Sequence, residues 1–128
     1  MHGRNREGGA AVVDEIRHKG GTAEFLAADF SSLPELCRLA DAVRAQTPRL
    51  DILVYNAGTT ATVWQASADG HELTFAVNYL AGFLLTRKLL PLLMASAAAR
   101  VVNVASAGQQ EIEFDDVMLR RQFSGQRA

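Results

Sequence analysis

Apolar residues in this chain follow helical spacing in some stretches and form short continuous runs in others, and the two patterns alternate. Helical spacing holds over residues 7–19, which predicts an amphipathic helix. The apolar positions that define its inner face are Ala11, Val12 and Ile16. Gly20-Gly21 predicts the end of this helix, because glycine readily adopts the conformation that closes helices. A short strand is then predicted over residues 23–28.

A second helix is predicted over residues 31–46. Ser31-Ser32 offers an N-cap, Pro34 suits the first turn, and Glu35 is placed to complete a capping box. Pro48 ends the helix because proline cannot continue it. Its apolar face is formed by Leu36, Leu39, Ala40 and Val43.

Two apolar runs rich in β-branched residues flank a long apolar helix in the second half of the chain. The runs predict strands near residues 50–56 and 100–105, and Asn78 lies inside the helix between them. Strands that alternate with helices of this length favour right-handed crossovers and a parallel sheet. The sequence therefore predicts an α/β fold, with one domain over residues 1–128 and three parallel strands covered by helices.

Composition and charge exclude several classes of function. The 13 basic and 14 acidic residues are interspersed and leave a net charge of −1, which argues against a nucleic-acid partner or an anionic membrane surface. The longest apolar stretch, residues 80–94, is interrupted by Thr86-Arg87-Lys88 and Pro91, so no clear membrane-spanning segment is predicted. The start of the chain lacks the apolar core of a signal peptide.

Cysteine and histidine usage narrows the chemistry further. Cys37 is the single cysteine, which excludes an internal disulfide and favours a reducing compartment, so a cytoplasmic location is expected. His2, His18 and His71 lack ligand-like spacing, and no metal site is predicted.

Polar residues are concentrated where the predicted strands end. Asp29, Asn56-Ala57-Gly58 and Ser106 each follow a strand, and ligands of open parallel sheets bind beyond the carboxyl ends of the strands. Each also has a purely structural interpretation. The structural role of Asp29 would be to cap the next helix. Asn56-Ala57-Gly58 could be simply a turn, since Asn and Gly tolerate positive φ, and Ser106 could be simply a turn residue. Asn78, a poor helix-interior residue, could be a buried and satisfied amide.

The order of these motifs resembles the short-chain dehydrogenase/reductase family. The resemblance depends on the run Leu50 to Tyr55 before Asn56-Ala57-Gly58, on the mid-helix Asn78, and on Ser106 after the run Arg100 to Val104. Two further segments, residues 69–75 and 113–117, are similar to the retinol-dehydrogenase-like branch. The resemblance implies a Rossmann-like, doubly wound parallel sheet, from which this chain would lack the first strand and the C-terminal strands.

The resemblance also implies roles for named residues. Ser106 would hydrogen-bond the substrate carbonyl or the catalytic Tyr, and Asn78 would kink its helix and bind a proton-relay water. Asn56-Ala57-Gly58 would brace the sheet and line the adenosine pocket, and Asp29 would contact the adenine ring. Arg4 would meet the 2′-phosphate of NADP, or it could be an ordinary surface arginine. No acidic residue lies in residues 1–6, which favours NADP over NAD.

The implied activity is that of an NAD(P)-dependent oxidoreductase acting on a small-molecule carbonyl or alcohol. The family's glycine-rich loop is expected before residue 1 and its Tyr-x-x-x-Lys pair after Ala128. Within the sequence, Tyr55 and Tyr79 are the only tyrosines, and neither has Lys four residues later. We therefore expect weak cofactor binding and no turnover by this chain. The alternative is a non-catalytic fragment that binds or interferes with a full-length partner; a homo-oligomer is also considered.

The missing first strand has a consequence for the sheet. In the strand order 3-2-1-4-5-6 that strand lies between the second and the fourth. The strand at 23–28 would then lose its connection to the strand at 50–56. We predict that either a gap remains between them or the two strands pair in a different register.

Overall fold

The computed structural model describes residues 1–106 and 111–124, which form an α/β structure. The strands are β1 (His2–Gly3), β2 (Leu26–Ala27), β3 (Ile52–Tyr55) and β4 (Arg100–Asn103). The helices are α1 (Arg6–His18), α2 (Leu33–Gln46), α3 (Leu73–Phe75) and α4 (Ala81–Met94), with a π-helical turn at Ala76–Leu80 and a 3₁₀ turn at Phe114–Asp116. The α3 helix, the π-helical turn and α4 are consecutive, so they form one long helical segment.

The four strands form two separate parallel pairs. β1 pairs with β2 through two residues of each strand, and β3 pairs with β4 through four, from Ile52↔Arg100 to Tyr55↔Asn103. No hydrogen bonds of the described residues join the two pairs. The parallel arrangement is confirmed, and of the two outcomes considered for the missing strand, the open gap is the one observed.

The strand predicted over residues 23–28 is shorter than expected, at Leu26–Ala27 alone. A strand extends only as far as a neighbour supplies hydrogen-bonding partners, and β1 supplies two residues. The bonds that hold this pair run from Leu26 N to Met1 O and from Ala28 N to Gly3 O. The prediction of three well-formed strands is therefore wrong for this one.

Local sequence signals explain both ends of α1. Asn5 is the N-cap and accepts a hydrogen bond from Gly8 N at 3.0 Å. The predicted glycine stop is confirmed: Gly20 has φ +80°, and the bonds Gly20 N to Arg17 O and Gly21 N to Ile16 O form a Schellman motif.

The inner face of α1 differs from the predicted one. Gly9 and Val13 are buried, whereas Ala11 and Val12 are exposed. The reason is Phe25, which lies directly over Gly9, so that a Cβ at that position would come within 2.4 Å of the ring. The absence of a side chain at Gly9 therefore fixes which face of the helix meets β1 and β2.

The α2 helix begins at the predicted N-cap, but its capping box is only half formed. Ser32 Oγ accepts from Glu35 N at 3.4 Å, as expected. The Glu35 carboxylate accepts from Asp29 N at 2.7 Å instead of from Ser32 N. The glutamate thereby ties the end of the β2 segment to the first turn of α2.

Both strand pairs pack on one apolar layer built from α2 and α4. Leu26 of β2 and Leu53 and Tyr55 of β3 contact this layer. The buried residues of the layer and of the chain that enters it are Ala28, Leu36, Leu39, Ala40, Ala81, Leu85, Leu89 and Leu92. The core therefore lies on one side of the interrupted sheet.

The other face of the β3–β4 pair is uncovered in the described part of the chain. Paired residues of parallel strands point to the same face, so Ile52, Val54 and Val102 share it, and Val104 continues it beyond β4. The residues Ile52, Val54 and Val104 are 59%, 54% and 59% exposed. Apart from Arg100, the exposed partner of Ile52, this open strand surface is apolar.

The C-terminal segment docks on the loop before α3. Trp64 Nε1 donates to Met118 O at 2.8 Å, and the Arg120 guanidinium lies 5.9 Å from the centre of the Trp64 ring. Glu72 N also approaches Met118 Sδ at 3.3 Å. Among the described helices, none has the length and apolar character needed to cross a bilayer.

Candidate functional site

A cleft of about 1090 Å³ opens at the carboxyl ends of β3 and β4. This is where ligands bind in open parallel sheets. The predicted residues Asn56, Ala57, Gly58, Asn78 and Ser106 all line it, although they are spread over residues 56–106. The structure thus brings together every predicted site residue from Asn56 onward.

Asn78 fixes the loop that follows β3. Its Oδ1 accepts from Thr59 N at 2.8 Å and its Nδ2 donates to Thr59 O at 2.9 Å. One side-chain amide therefore satisfies both backbone groups of one residue. Asn78 is exposed to the cleft, so the interpretation as a satisfied amide is right but the expected burial is wrong.

The helix widens at Asn78. A π-helical turn over Ala76–Leu80, with Asn78 at its centre, lies where the kink was predicted. Single π-helical turns commonly occur at functional sites, because they shift the side chains that follow them and disturb the regular backbone bonds. Here the turn lies at the point where the helix meets the loop at residues 56–60.

Neither backbone conformation nor lack of space requires a glycine at position 58. Neither Asn56 nor Gly58 has a positive φ, so the interpretation as a left-handed turn is wrong. A Cβ at Gly58 would instead lie 3.4 Å from Asn78 Oδ1. That distance is an ordinary van der Waals contact, so a small side chain at this position would still fit beside the Asn78 amide.

Ser106 lies just beyond β4. The last bond of the ladder joins Val104 N to Tyr55 O at 2.8 Å, two residues before the serine. Ser106 is exposed at the cleft, and within residues 1–106 and 111–124 its hydroxyl has no hydrogen-bond partner. The hydroxyl is therefore available to a ligand in the cleft.

Arg4 and Asp29 lie at a second, smaller depression of about 250 Å³. Asp29 Oδ1 accepts from Ser31 N at 2.8 Å, so Asp29 forms a local turn and Ser32 caps the helix. This hydrogen bond lowers the pKa of Asp29 below its usual value, and the positive charge of Arg4 acts in the same direction. Of the predicted residues, these two are the ones that the structure places outside the main cleft.

Three cleft residues were missed by sequence reasoning. The Tyr55 hydroxyl is 3.0 Å from Thr86 Oγ1, which itself donates to Gly82 O at 2.8 Å. Burial raises the pKa of Tyr55. The third, Phe30, stacks on His2 with ring centres 4.1 Å apart. Thr86 had a signal, because it interrupts an apolar helix, whereas Phe30 looked like an ordinary core residue.

Two kinds of comparison relate this chain to known proteins. A sequence profile described as short chain dehydrogenase matches residues 1–114, which is most of the chain. The chain belongs to the short-chain dehydrogenase family. Dehydrogenase/reductase SDR family member 13 of Homo sapiens is 38% identical over 126 residues, covering 97% of this chain and 33% of that protein. Retinol dehydrogenase 12 of Homo sapiens is 35% identical over 120 residues, covering 91% and 38%.

Solved structures of short-chain dehydrogenases share the fold. A metagenomic short-chain oxidoreductase in complex with NADP has a TM-score of 0.72 and 31% identity, covering 87% of this chain and 52% of that one. A protein from Mycobacterium paratuberculosis has a TM-score of 0.82 and 30% identity, covering 98% and 44%. The chain spans about a third of the length of the curated relatives and about half of the solved ones.

The site residues fit one part of a nicotinamide dinucleotide of this family. Arg4 and Asp29, a cation and a carboxylate at one depression, suit the adenosine end, and the cleft wall at Asn56 and Ser106 suits the remainder. The described residues contain no glycine-rich turn at the start of a helix that faces the cleft, which is where a pyrophosphate normally binds. No three His, Cys, Asp or Glu side chains of these same residues cluster as a metal site.

Proposed function

We propose that this chain carries the cleft of an NADP-dependent oxidoreductase that interconverts a small-molecule carbonyl and an alcohol. The observation that carries the proposal is the meeting of Asn56-Ala57-Gly58, Asn78 and Ser106 at one cleft beyond the strand ends. Relatives named retinol dehydrogenase support a lipophilic alcohol or aldehyde as the substrate class.

Each residue has a distinct task in this proposal. Ser106 donates a hydrogen bond to the substrate oxygen and so positions the carbonyl carbon, because its residue is exposed at the cleft and its hydroxyl has no partner among the described residues. Asn78 holds Thr59 and thereby shapes the floor of the cleft. When bound, the nicotinamide supplies or accepts the hydride. Arg4 pairs with the 2′-phosphate, and this contact distinguishes NADP from NAD.

The chain alone binds the cofactor weakly and does not turn over a carbonyl in this proposal. General acid–base catalysis by a positioned group contributes about 10²–10⁴-fold in rate. Neither Tyr55 nor Tyr79 fits that task, because the Tyr55 hydroxyl is engaged with Thr86 and neither has the neighbouring lysine. Adding retinal and NADPH to the purified chain should therefore give no oxidation of NADPH above background.

Titration calorimetry with NADP, NAD and 2′,5′-ADP tests the binding half of the proposal. We expect dissociation constants weaker than about 10 μM, equivalent to roughly −7 kcal/mol, with NADP favoured over NAD. Arg4→Ala should abolish the preference for NADP, whereas Arg44→Ala, an exposed arginine on α2, should leave it unchanged. Equal affinity of the unaltered chain for NADP and NAD would contradict the role of Arg4, and no binding at millimolar cofactor would contradict the cofactor site.

A further inference from the structure

Residues 113–121 of the C-terminal segment form a compact turn around Asp116. The Asp116 carboxylate accepts from the backbone N–H groups of residues 120 and 121 at 3.0 and 2.9 Å, and Asp116 O accepts from Leu119 N at 2.8 Å. Leu119 has φ +48°, a left-handed conformation that is unfavourable for residues other than glycine. The turn therefore presents Met118, the residue before Leu119, on a backbone that is itself strained.

Met118 joins this turn to the loop before α3 through two of its own groups. Its carbonyl oxygen accepts from Trp64 Nε1 at 2.8 Å, and its thioether sulfur accepts from Glu72 N at 3.3 Å. Met118 is half-buried and is not a member of the buried cluster of α2 and α4. The contact is therefore close to solvent and separate from the main core.

The N–H group of Glu72 is not used by the backbone of its own loop. Ala66 and Glu72 form an antiparallel bridge whose flanking bonds are donated by Ser67 N and Leu73 N, so Glu72 N points away from Ala66. Glu72 is also only 1% exposed. A backbone donor of a buried residue is costly to leave without an acceptor, and the Met118 sulfur is the acceptor here.

We propose that Met118 is an oxidation site, and that its conversion to the sulfoxide by hydrogen peroxide detaches the C-terminal segment from the loop before α3. A lone pair of the sulfur attacks one peroxide oxygen, the S–O bond forms and the O–O bond breaks. The thioether loses two electrons, and the peroxide is reduced to water when the proton of the transferred oxygen moves to the leaving hydroxide. An apolar side chain thereby becomes polar.

The observed geometry does not accommodate the sulfoxide. The 3.3 Å between Met118 Sδ and Glu72 N leaves no room for an oxygen between them. An oxygen that points elsewhere needs hydration, and it leaves Glu72 N facing a sulfur that carries partial positive charge and accepts poorly. The side chain must therefore move, and the strained conformation of Leu119 is then no longer offset by docking. The proposal does not depend on the oxidoreductase activity.

Hydrogen exchange before and after peroxide treatment, followed by nuclear magnetic resonance, tests the proposal. The chain used is Met94→Leu, which removes a methionine that is 77% exposed and leaves Met1 and Met118. Mass spectrometry of proteolytic peptides measures the sulfoxide at Met118. Once Met118 is oxidised, we expect exchange at Glu72 N–H and Trp64 Nε1–H to become at least about tenfold faster, with exchange in α2 and α4 unchanged.

The matched control is Met118→Leu with Met94 retained. Peroxide then oxidises Met94, and Cys37 is present in both chains, so any effect of these two residues appears in the control as well. Exchange at Glu72 N–H should not respond to peroxide in this variant, whatever its rate beforehand. Methionine sulfoxide reductases with dithiothreitol, which convert the sulfoxide back to the thioether, should restore slow exchange in the oxidised Met94→Leu chain.

Three results would overturn the proposal. The first is unchanged exchange at Glu72 N–H in chains whose Met118 is fully oxidised. The second is slower exchange at that group, which would mean that the sulfoxide oxygen replaces the sulfur as a stronger acceptor and tightens the contact. The third is Met118 that stays reduced in the unaltered chain after Met94 is completely oxidised, which would show that peroxide does not reach the sulfur.

Discussion

The two halves of the interrupted sheet are held together in different ways. The β3–β4 pair has four residue pairs and a long apolar helix behind it, and it carries Asn56 and Ser106. The β1–β2 pair has only two residue pairs. Side-chain contacts supplement these few backbone hydrogen bonds. His2 Nε2 donates to Ala28 O at 2.9 Å and its ring stacks on Phe30, while Phe25 covers Gly9.

This contrast indicates that the local stability of a predicted site depends on the strands that carry its residues. The residues proposed to contact substrate follow the β3–β4 pair, which has a continuous hydrogen-bond ladder and packs on α4. Arg4, proposed to pair with the 2′-phosphate, and Asp29, expected at the adenine ring, follow β1 and β2, which are joined through only two residues of each strand. Local opening starts where buried apolar contacts and protected hydrogen bonds are few. Substitutions around β1 and β2 should therefore impair the selection of NADP over NAD at a smaller loss of stability than is needed to disturb the cleft.

Leu36→Ala should have the largest effect, because this fully buried residue lies in the cluster that supports both halves. Truncating a buried leucine costs about 2–5 kcal/mol in the free energy of unfolding. Urea unfolding followed by far-ultraviolet circular dichroism measures it, with exposed Leu90→Ala as the control, expected to cost under about 1 kcal/mol. Loss of amide protection in only one half would show that the halves are independent units.

Gly9→Ala should destabilise the first half by about 1–2 kcal/mol, since the new methyl group overlaps the Phe25 ring while helix propensity returns part of the cost. Exchange should accelerate at β1 and β2 and remain unchanged at β3 and β4. The neighbouring Gly8→Ala is the control, because its Cβ would meet only the Asn5 side-chain amide, at 3.3 Å, and no aromatic ring. Equal effects of the two substitutions would contradict the packing described for Phe25.

Asn78→Ala should cost about 1 kcal/mol, since both of its hydrogen bonds to Thr59 are exposed to solvent. The effect should be local, with faster exchange at Thr59 N–H and little change at β1. Asn78→Asp keeps the acceptor for Thr59 N and should recover part of that protection. If Asn78→Asp behaved like Asn78→Ala, the clamp would not depend on Oδ1.

Acidification should have the smallest effect, and it should act on the first half. Burial lowers the pKa of His2 below 6.5 in the folded chain, so the unfolded chain takes up the proton first. The folded state therefore keeps its full free energy of unfolding, as far as His2 is concerned, above pH 6.5. That free energy falls progressively as the pH drops below this value. Melting temperatures at pH 7 and pH 5 measure the loss, and His2→Gln should reduce it. The lowered pKa of Asp29 acts in the same direction, at still lower pH.

Elements with local signals were predicted well from the sequence. The bounds of α1 and α2 agree within about two residues, because Asn5, Ser32 and Gly20 act on the backbone within one or two turns. The parallel α/β class followed from the alternation of the two hydrophobic spacings. The rule that strand ends meet at one edge of the sheet identified Asn56, Ala57, Gly58 and Ser106, which line the cleft, and also Asp29, which does not. Asn78 was identified separately, as a polar residue inside an apolar helix.

Features that depend on distant partners could not be predicted in this way. The length of β2 is set by β1, more than twenty residues earlier, and the partner of Asn78 is a backbone group 19 residues away. Glu35 had two acceptable partners, Ser32 N and Asp29 N, and only the folded geometry selects between them. The roles of Arg4, Asp29 and Ser106 toward a ligand stay predictions.

The chain contains one tryptophan, and its position makes it a selective optical probe. The Trp64 indole donates to Met118 O and lies below Arg120, so its emission should respond to release of the segment around residue 118 into water. It lies outside the buried cluster of α2 and α4. A fluorescence transition that precedes loss of helical circular dichroism would therefore report detachment of this segment, with the helical layer still intact.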